Sequence, residues 1–204
     1  MLVALPNLAI GNFASVLRMV QKVGGSARLL DSPADVLNAD RIILAGVGAF
    51  DRGMASLRDR GWVDVLNEAV LERRIPVLGI CLGMQLMCNA SEEGRLAGLG
   101  WIDADVKRFD VAGDAQLKIP HMGWNSVRIC QPNHLIATDD REPRFYFVHS
   151  YYAVCRNDAD VLATAHHGRD FAAAFGRGNI YGVQFHPEKS HRFGMALMKN
   201  FLEL

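Results

Sequence analysis

The chain has 204 residues, of which half are hydrophobic and 22% are charged. This composition is ordinary for a globular protein, and the length fits one α/β domain with a large core. The formal net charge is zero and the pI is near 7. Such a balance argues against a protein that depends on electrostatic attraction to nucleic acid or to an anionic membrane.

The N-terminal region and the cysteine content indicate the compartment. No Lys or Arg precedes Arg18, so a secretory signal is not evident, and no apolar run reaches the length of a membrane helix. We therefore expect a cytoplasmic protein with reduced cysteines. In that setting each cysteine is either a buried small hydrophobe or a reactive thiol. The four are Cys81, Cys88, Cys130 and Cys155.

The first ninety residues alternate between strand-like and helix-like patterns. Short apolar runs typical of strands occur at residues 2–5, 27–30, 41–44 and 76–80. Apolar residues at helical spacing occur at 12–23, 56–74 and 82–89. This alternation predicts an α/β fold, with a parallel sheet that has helices on both faces.

The second half has a different pattern, in which strand-like runs follow each other through short connections. The runs lie near 101–109, 126–130, 144–154, 161–165, 171–175 and 179–185. They predict added antiparallel strands and hence a mixed, mainly parallel sheet. Helical spacing at 191–204 predicts a closing helix, and Asp110–Ala115 is predicted to be a mobile loop. No repeat or linker divides the chain, so residues 1–204 are expected to form a single domain.

A candidate nucleophile lies directly after the apolar strand at 76–80. The segment Gly79-Ile80-Cys81-Leu82-Gly83 has small residues on both sides of a cysteine, between a strand and a helix. This order is typical of a nucleophile elbow, a tight turn that presents the reactive side chain at the strand end. The adjacent helix N-terminus favours a thiolate there. A buried structural cysteine between packing glycines would give the same letters.

A candidate base and a candidate oxyanion loop complete this chemistry. His186-Pro187-Glu188 follows the strand-like run 180–185, and residues i and i+2 of extended backbone point to the same side. A cysteine nucleophile needs such a base, and the base needs an orienting carboxylate. Ala45-Gly46-Val47-Gly48 follows another strand, where backbone N–H groups could converge with that of Leu82 on a substrate oxygen. Taken singly, the His-Pro-Glu segment could be a surface loop and the glycines a plain turn.

Together these segments resemble the class I glutamine amidotransferases. Residues 79–85 (Gly-Ile-Cys-Leu-Gly-Met-Gln) are similar to the nucleophile segment of that family, and residues 182–190 (Gly-Val-Gln-Phe-His-Pro-Glu-Lys-Ser) to its His-x-Glu segment. Within the family, the resemblance is to glutaminase subunits of imidazole glycerol phosphate synthase. It runs essentially end to end, and the further segments that carry it are residues 46–50, 119–125 and 145–151.

The resemblance implies a flavodoxin-like class I fold and a role for each matching residue. Cys81 would be the nucleophile, His186 its base and acid, and Glu188 the residue that orients His186. The positions implied to contact glutamine are Gly48, Leu82, Gln85, Glu93, Ser150 and Tyr151. Those implied to face a cyclase partner, a (β/α)8 barrel that receives the ammonia, are Asn12, Trp124, Tyr146 and Lys189. No metal or cofactor is expected.

Two departures from the family pattern keep alternatives open. Alanine stands at position 45 where the family usually has proline, which suggests less tightly suppressed resting activity. The segment Pro6–Asn12 keeps only Gly11-Asn12 of the usual pattern on the partner-facing side. A paralogous glutaminase that supplies ammonia to a sugar amidotransferase, in the synthesis of acetamidino surface sugars, is therefore the alternative. A catalytically dead scaffold and a peptidase are less favoured, because the triad and glutamine-pocket residues are present.

Overall fold

The computed structural model describes residues 1–110, 117–136 and 142–204. Five α-helices occur in these ranges: α1 (Phe13–Lys22), α2 (Phe50–Asp59), α3 (Trp62–Asn67), α4 (Leu82–Leu86) and α5 (His191–Glu203). The strands of the same ranges are β1 (Leu2–Pro6), β2 (Ser26–Leu30), β3 (Arg41–Gly46), β4 (Val77–Cys81), β5 (Ala90–Ser91), β6 (Ala104–Arg108), β7 (His121–Ser126), β8 (Arg128–Ile129), β9 (Arg144–His149), β10 (Tyr151–Cys155), β11 (Val161–His166), β12 (Asp170–Arg177) and β13 (Ile180–Val183).

A large mixed sheet forms the centre of the described structure. Its eight strands run in the order β2-β1-β3-β4-β13-β12-β11-β8. The pairs from β2 to β13 are parallel, whereas β12, β11 and β8 join antiparallel. Strands β10, β6 and β5 form a second small sheet, and β7 pairs with β9 in a ribbon. The predicted mixed, mainly parallel sheet with added antiparallel strands is confirmed.

Helices cover both faces of the central sheet. Strands β1, β3 and β4 are buried along almost their whole length, without alternation, as expected for parallel strands covered on both faces. Helices α1 and α5 pack on one face through Val20 and Phe201, and α2 and α3 on the other through Met54 and Trp62. Each of these fully buried side chains stabilises the fold by roughly 1.5–3 kcal/mol. No helix in the described ranges is both long and apolar enough to cross a membrane.

Several predicted boundaries are wrong. The helix expected at 56–74 begins at Phe50 and is interrupted at Gly61, whose φ of +71° takes the chain out of the helix. The helix expected at 82–89 ends at Leu86, because the chain continues into the short strand β5. The run at 144–154 is two strands in different sheets, separated at Ser150. Strand β7 was not predicted. Of the loop predicted at Asp110–Ala115, residues 111–115 lie outside the described residues.

The topology brings the chemical segments together. Strands β3, β4 and β13 are adjacent and parallel, so their carboxyl ends lie at one edge of the sheet. Val47 and Gly48 follow β3, Cys81 ends β4, and the chain from β13 leads to His186. Clefts outside the carboxyl ends of parallel strands are the usual ligand sites of such sheets.

Candidate active site

Cys81 occupies a strained turn that only its glycine neighbours allow. Its backbone has φ 54° and ψ −108°, and α4 begins at the next residue. A Cβ on Gly79 would lie 2.7 Å from the Met84 nitrogen, and one on Gly83 would overlap the Leu44 carbonyl oxygen. A conformation of this kind carries roughly 1–3 kcal/mol of strain, which is typical of functional sites. The predicted elbow is therefore present, with the side chain of Cys81 at a cavity and 8% exposed.

His186 and Glu188 form a buried pair. Nδ1 of His186 lies 2.8 Å from Oε1 of Glu188, and both side chains are almost fully buried. Donation from Nδ1 to the carboxylate leaves Nε2 for a second partner. Nε2 is buried and has no well-aligned hydrogen bond within the described residues. The Cys81 thiol is the reactive group beside it, since both side chains line the same cavity.

The electrostatics of the pair favour a charged imidazole. Burial by itself lowers the pKa of His186, but the neighbouring Cys81 and the hydrogen-bonded Glu188 outweigh it and raise the pKa to about 9. An imidazolium is therefore favoured at neutral pH between Cys81 and Glu188. This is the arrangement that a cysteine nucleophile with a histidine acid and base requires.

The cavity beside Cys81 has a volume of about 440 Å³, within the usual range for small-molecule sites. The six residues implied to contact glutamine all line it: Gly48, Leu82, Gln85, Glu93, Ser150 and Tyr151. Gly48 has φ +111°, a conformation that favours glycine. Leu82 is the first residue of α4, so its N–H has no partner inside the helix. Both backbones are thus suited to contact a substrate oxygen next to the sulfur.

The polar side chains of the cavity are held by hydrogen bonds. Oε2 of Glu93 accepts from the N–H of Phe50 at 2.8 Å, at the start of α2. Nε2 of Gln85 donates to the Tyr151 carbonyl at 3.1 Å and to Oε1 of Gln184 at 3.0 Å. Gln85 and Glu93 also carry side-chain oxygens, and both side chains line the cavity. These oxygens are suited to accept from the ammonium group of an amino acid.

The four residues implied to face a partner are linked on one surface. The ring of Trp124 stacks on His191 at 5.4 Å and meets Tyr146 edge-on at 6.3 Å. Nζ of Lys189 lies 5.6 Å from the centre of the Tyr146 ring. Lys189 and Asn12 line a small cavity with His186 and Glu188. Trp124 is 41% exposed and Met122, which sequence reasoning missed, is 62% exposed. The surface therefore lies directly behind the His–Glu pair.

A pair of histidines lies at the cavity wall, where His149 lines the cavity and His121 lies behind it. Nδ1 of His149 lies 2.8 Å from the Tyr151 carbonyl, and its Nε2 lies 2.9 Å from Nδ1 of His121. Burial lowers the pKa of His149 to about 3 and that of His121 to about 4, so both rings are neutral near pH 7. The pair was missed because 28 residues separate its members, which only the β7–β9 pairing brings opposite each other.

Comparison with known proteins identifies the family. Residues 12–204 match the family described as "Glutamine amidotransferase class-I". The chain belongs to the class I glutamine amidotransferase family. It is therefore an enzyme subunit of that class. It is 51% identical to "Imidazole glycerol phosphate synthase subunit HisH 2" of Pseudomonas aeruginosa, over 96% of each chain. It is 46% identical to the subunit of the same name from Methanococcus maripaludis, over 99% of each.

Solved structures of the class share the fold. A glutamine amidotransferase from Thermotoga maritima matches all of this chain and 81% of its own length, with a TM-score of 0.62 and 20% sequence identity. Another glutamine amidotransferase matches 98% of this chain and 97% of its own length, with a TM-score of 0.73 and 20% identity. At these identities the likeness concerns the fold alone. It agrees with the class I glutamine amidotransferase fold that the sequence resemblance predicted.

Proposed function

We propose that the chain, as one domain over residues 1–204, is the glutaminase subunit of an imidazole glycerol phosphate synthase and acts in histidine biosynthesis. The observation that carries the chemistry is the placement of Cys81 and His186 on one cavity, with Glu188 bonded to the far side of the imidazole. The names of the relatives that match nearly the whole chain support the pathway.

The reaction proceeds through a thioester. The Cys81 thiolate attacks the side-chain carboxamide carbon of glutamine, and the N–H of Leu82 with the backbone at Gly48 stabilises the oxyanion that forms. The His186 imidazolium protonates the nitrogen, the C–N bond breaks, and ammonia leaves. The neutral His186 then takes a proton from water, whose oxygen attacks the thioester. Glutamate departs as the carbon–sulfur bond breaks, and His186 is again protonated beside the thiolate.

Glu188 keeps His186 ready for both proton transfers. Its carboxylate accepts a hydrogen bond from Nδ1–H of His186, which fixes the tautomer and stabilises the imidazolium. Gln85 and Glu93 recognise the α-ammonium group of glutamine through their side-chain oxygens, which can accept hydrogen bonds from it. Ser150 and Tyr151 contribute the opposite wall of the pocket.

The partner is a cyclase subunit, a (β/α)8 barrel that receives the ammonia. The surface of this chain on which the cyclase docks consists of Asn12, Trp124, Tyr146 and Lys189. Trp and Tyr are enriched at interface centres, and here Trp124 is exposed and Tyr146 is half-buried. Because this surface adjoins His186 and Glu188, the ammonia has a short route into the partner. The barrel subunit makes imidazole glycerol phosphate and an aminoimidazole carboxamide ribonucleotide.

The experiment measures glutamate release by the purified chain, alone and with a purified cyclase subunit and its nucleotide ligand. Strong stimulation is expected, together with a stable heterodimer. A chain that reacts with glutamine analogues but gains nothing from the cyclase would instead support the sugar-modifying alternative. Neither of the two relatives described above is named as a glutaminase of sugar modification.

A further inference from the structure

Gln184 is a buried polar residue of the segment 182–190, and the mechanism above gives it no role. It lies just after β13, two residues before His186, and its side chain is fully buried. Its Nε2 lies 3.7 Å from Sγ of Cys81, within reach of an N–H···S hydrogen bond. Its Oε1 lies 3.0 Å from Nε2 of Gln85. The residue therefore joins the nucleophile to a side chain of the glutamine pocket.

The orientation of both amide groups follows from one backbone carbonyl. The carbonyl oxygen of Tyr151 can only accept, so the atom of Gln85 that faces it at 3.1 Å is the NH₂ nitrogen. That nitrogen has a second hydrogen, which points to Gln184 and requires an acceptor there. Gln184 thus turns its oxygen to Gln85 and its NH₂ group to Cys81. Flipping either amide would bring two donors or two acceptors together in a buried site.

We propose that Gln184 is a further catalytic residue, which stabilises the Cys81 thiolate by donating a hydrogen bond to its sulfur and holds Gln85 in place for glutamine. The inference rests on the proposed glutaminase function. A neutral amide donor favours the charged form of the thiol and does not compete with His186 for the proton. It also limits the rotation of the sulfur, so that the thiolate stays directed into the cavity. Because the same side chain orients Gln85, the nucleophile and the glutamine pocket are positioned together.

The isosteric variant Gln184→Glu separates the two contacts. One carboxylate oxygen still accepts from Gln85, but the other faces the sulfur without a proton. A carboxylic acid loses its proton before a thiol does, so the remaining proton of the pair stays on Cys81. The thiolate then forms only at higher pH. The Gln184→Met variant has a similar length and removes both contacts without adding a charge.

The experiment measures the rate of iodoacetamide alkylation of Cys81 against pH, by mass spectrometry of the Cys81 peptide. For Gln184→Glu we expect the rate at pH 7 to fall about tenfold and its midpoint to move up by about one pH unit, as for loss of a hydrogen bond to a charged group. KM for glutamine should change less than in Gln184→Met, where Gln85 also loses its acceptor. The exposed Gln21→Glu serves as the matched control and should show the wild-type midpoint.

The other titratable groups near Cys81 are the same in both Gln184 variants, so a shift of the alkylation midpoint results from the change at position 184. Those that line the cavity with Cys81 are His186, His149, Glu93 and Tyr151. The midpoint should also move up in the uncharged Gln184→Met, and a wild-type midpoint in that variant would overturn the inference, because the carboxylate of Gln184→Glu raises the midpoint through its charge alone. If Gln184→Glu does not fold, as judged by thermal unfolding, Gln184→Met decides. A wild-type chain that is alkylated at Cys81 but releases no glutamate would overturn the proposed function, while the midpoint shift still judges the Gln184 contact.

Discussion

Replacing Glu188 by glutamine tests how the buried carboxylate controls His186. The introduced amide side chain can still accept a hydrogen bond from Nδ1–H of His186, because its carbonyl oxygen occupies the place of Oε1. The negative charge is lost, however, and the imidazolium is no longer stabilised by it. The tautomer of His186 should therefore persist while its pKa falls.

The size of the effect follows from the surroundings of His186. Burial lowers the pKa, yet Cys81 and Glu188 together raise it from 6.5 to about 9. That rise corresponds to roughly 3 kcal/mol in favour of the charged ring. A hydrogen bond to a charged group contributes about 1.5–3 kcal/mol, so we assign Glu188 about half of the total. Its loss should lower the pKa of His186 by about one unit, so activity well above the pKa of the ring should fall about tenfold while activity well below it changes little.

The assay is the pH dependence of glutamate release. His186 must be protonated to give a proton to the leaving ammonia, so activity disappears as the pH rises through the pKa of the ring. In Glu188→Gln this basic limb should move down by about one pH unit. The exposed Glu72→Gln should leave the limb in place. A Glu188→Gln variant whose kcat falls while the basic limb does not move would refute the reasoning.

Three further substitutions follow from the packing. Gly83→Ala places a methyl group on the Leu44 carbonyl oxygen. We therefore expect the free energy of unfolding to fall by at least about 3 kcal/mol, which a lower Tm would show. An unchanged Tm would contradict the elbow geometry. Ser190→Ala removes the hydroxyl that donates to the His186 carbonyl at 2.6 Å and accepts from the Tyr146 N–H at 3.0 Å. For this variant kcat should fall about tenfold with little change in KM. Ser190→Thr keeps a hydroxyl and should recover part of the lost kcat. Trp124→Ala should weaken cyclase binding at least about tenfold without lowering the Tm, and equal affinity would remove Trp124 from the interface.

Much of the site could be predicted because its constraints are local in the chain. A tight turn between a strand and a helix requires glycine at positions 79 and 83, so five consecutive residues are enough to predict the elbow. His186 and Glu188 are two residues apart in extended backbone, which places them side by side. The parallel half of the sheet follows equally from strands that are apolar throughout.

The rest depends on tertiary contacts that have no local pattern. Gln184 is 103 residues from Cys81 in sequence, and only the adjacency of β4 and β13 brings the amide to the sulfur. The run at 144–154 has strand composition throughout, but the chain changes sheets at Ser150. Sequence composition cannot indicate that change, because both strands bury similar apolar side chains.

The central claim is that Cys81 attacks glutamine in this cavity. The most direct measurement is labelling with a diazo-ketone analogue of glutamine, followed by peptide mapping and mass spectrometry. We predict a single adduct per chain on Cys81, slowed by added glutamine and absent in Cys81→Ser. An adduct on the exposed Cys130 instead, or labelling of Cys81 that glutamine does not slow, would contradict it.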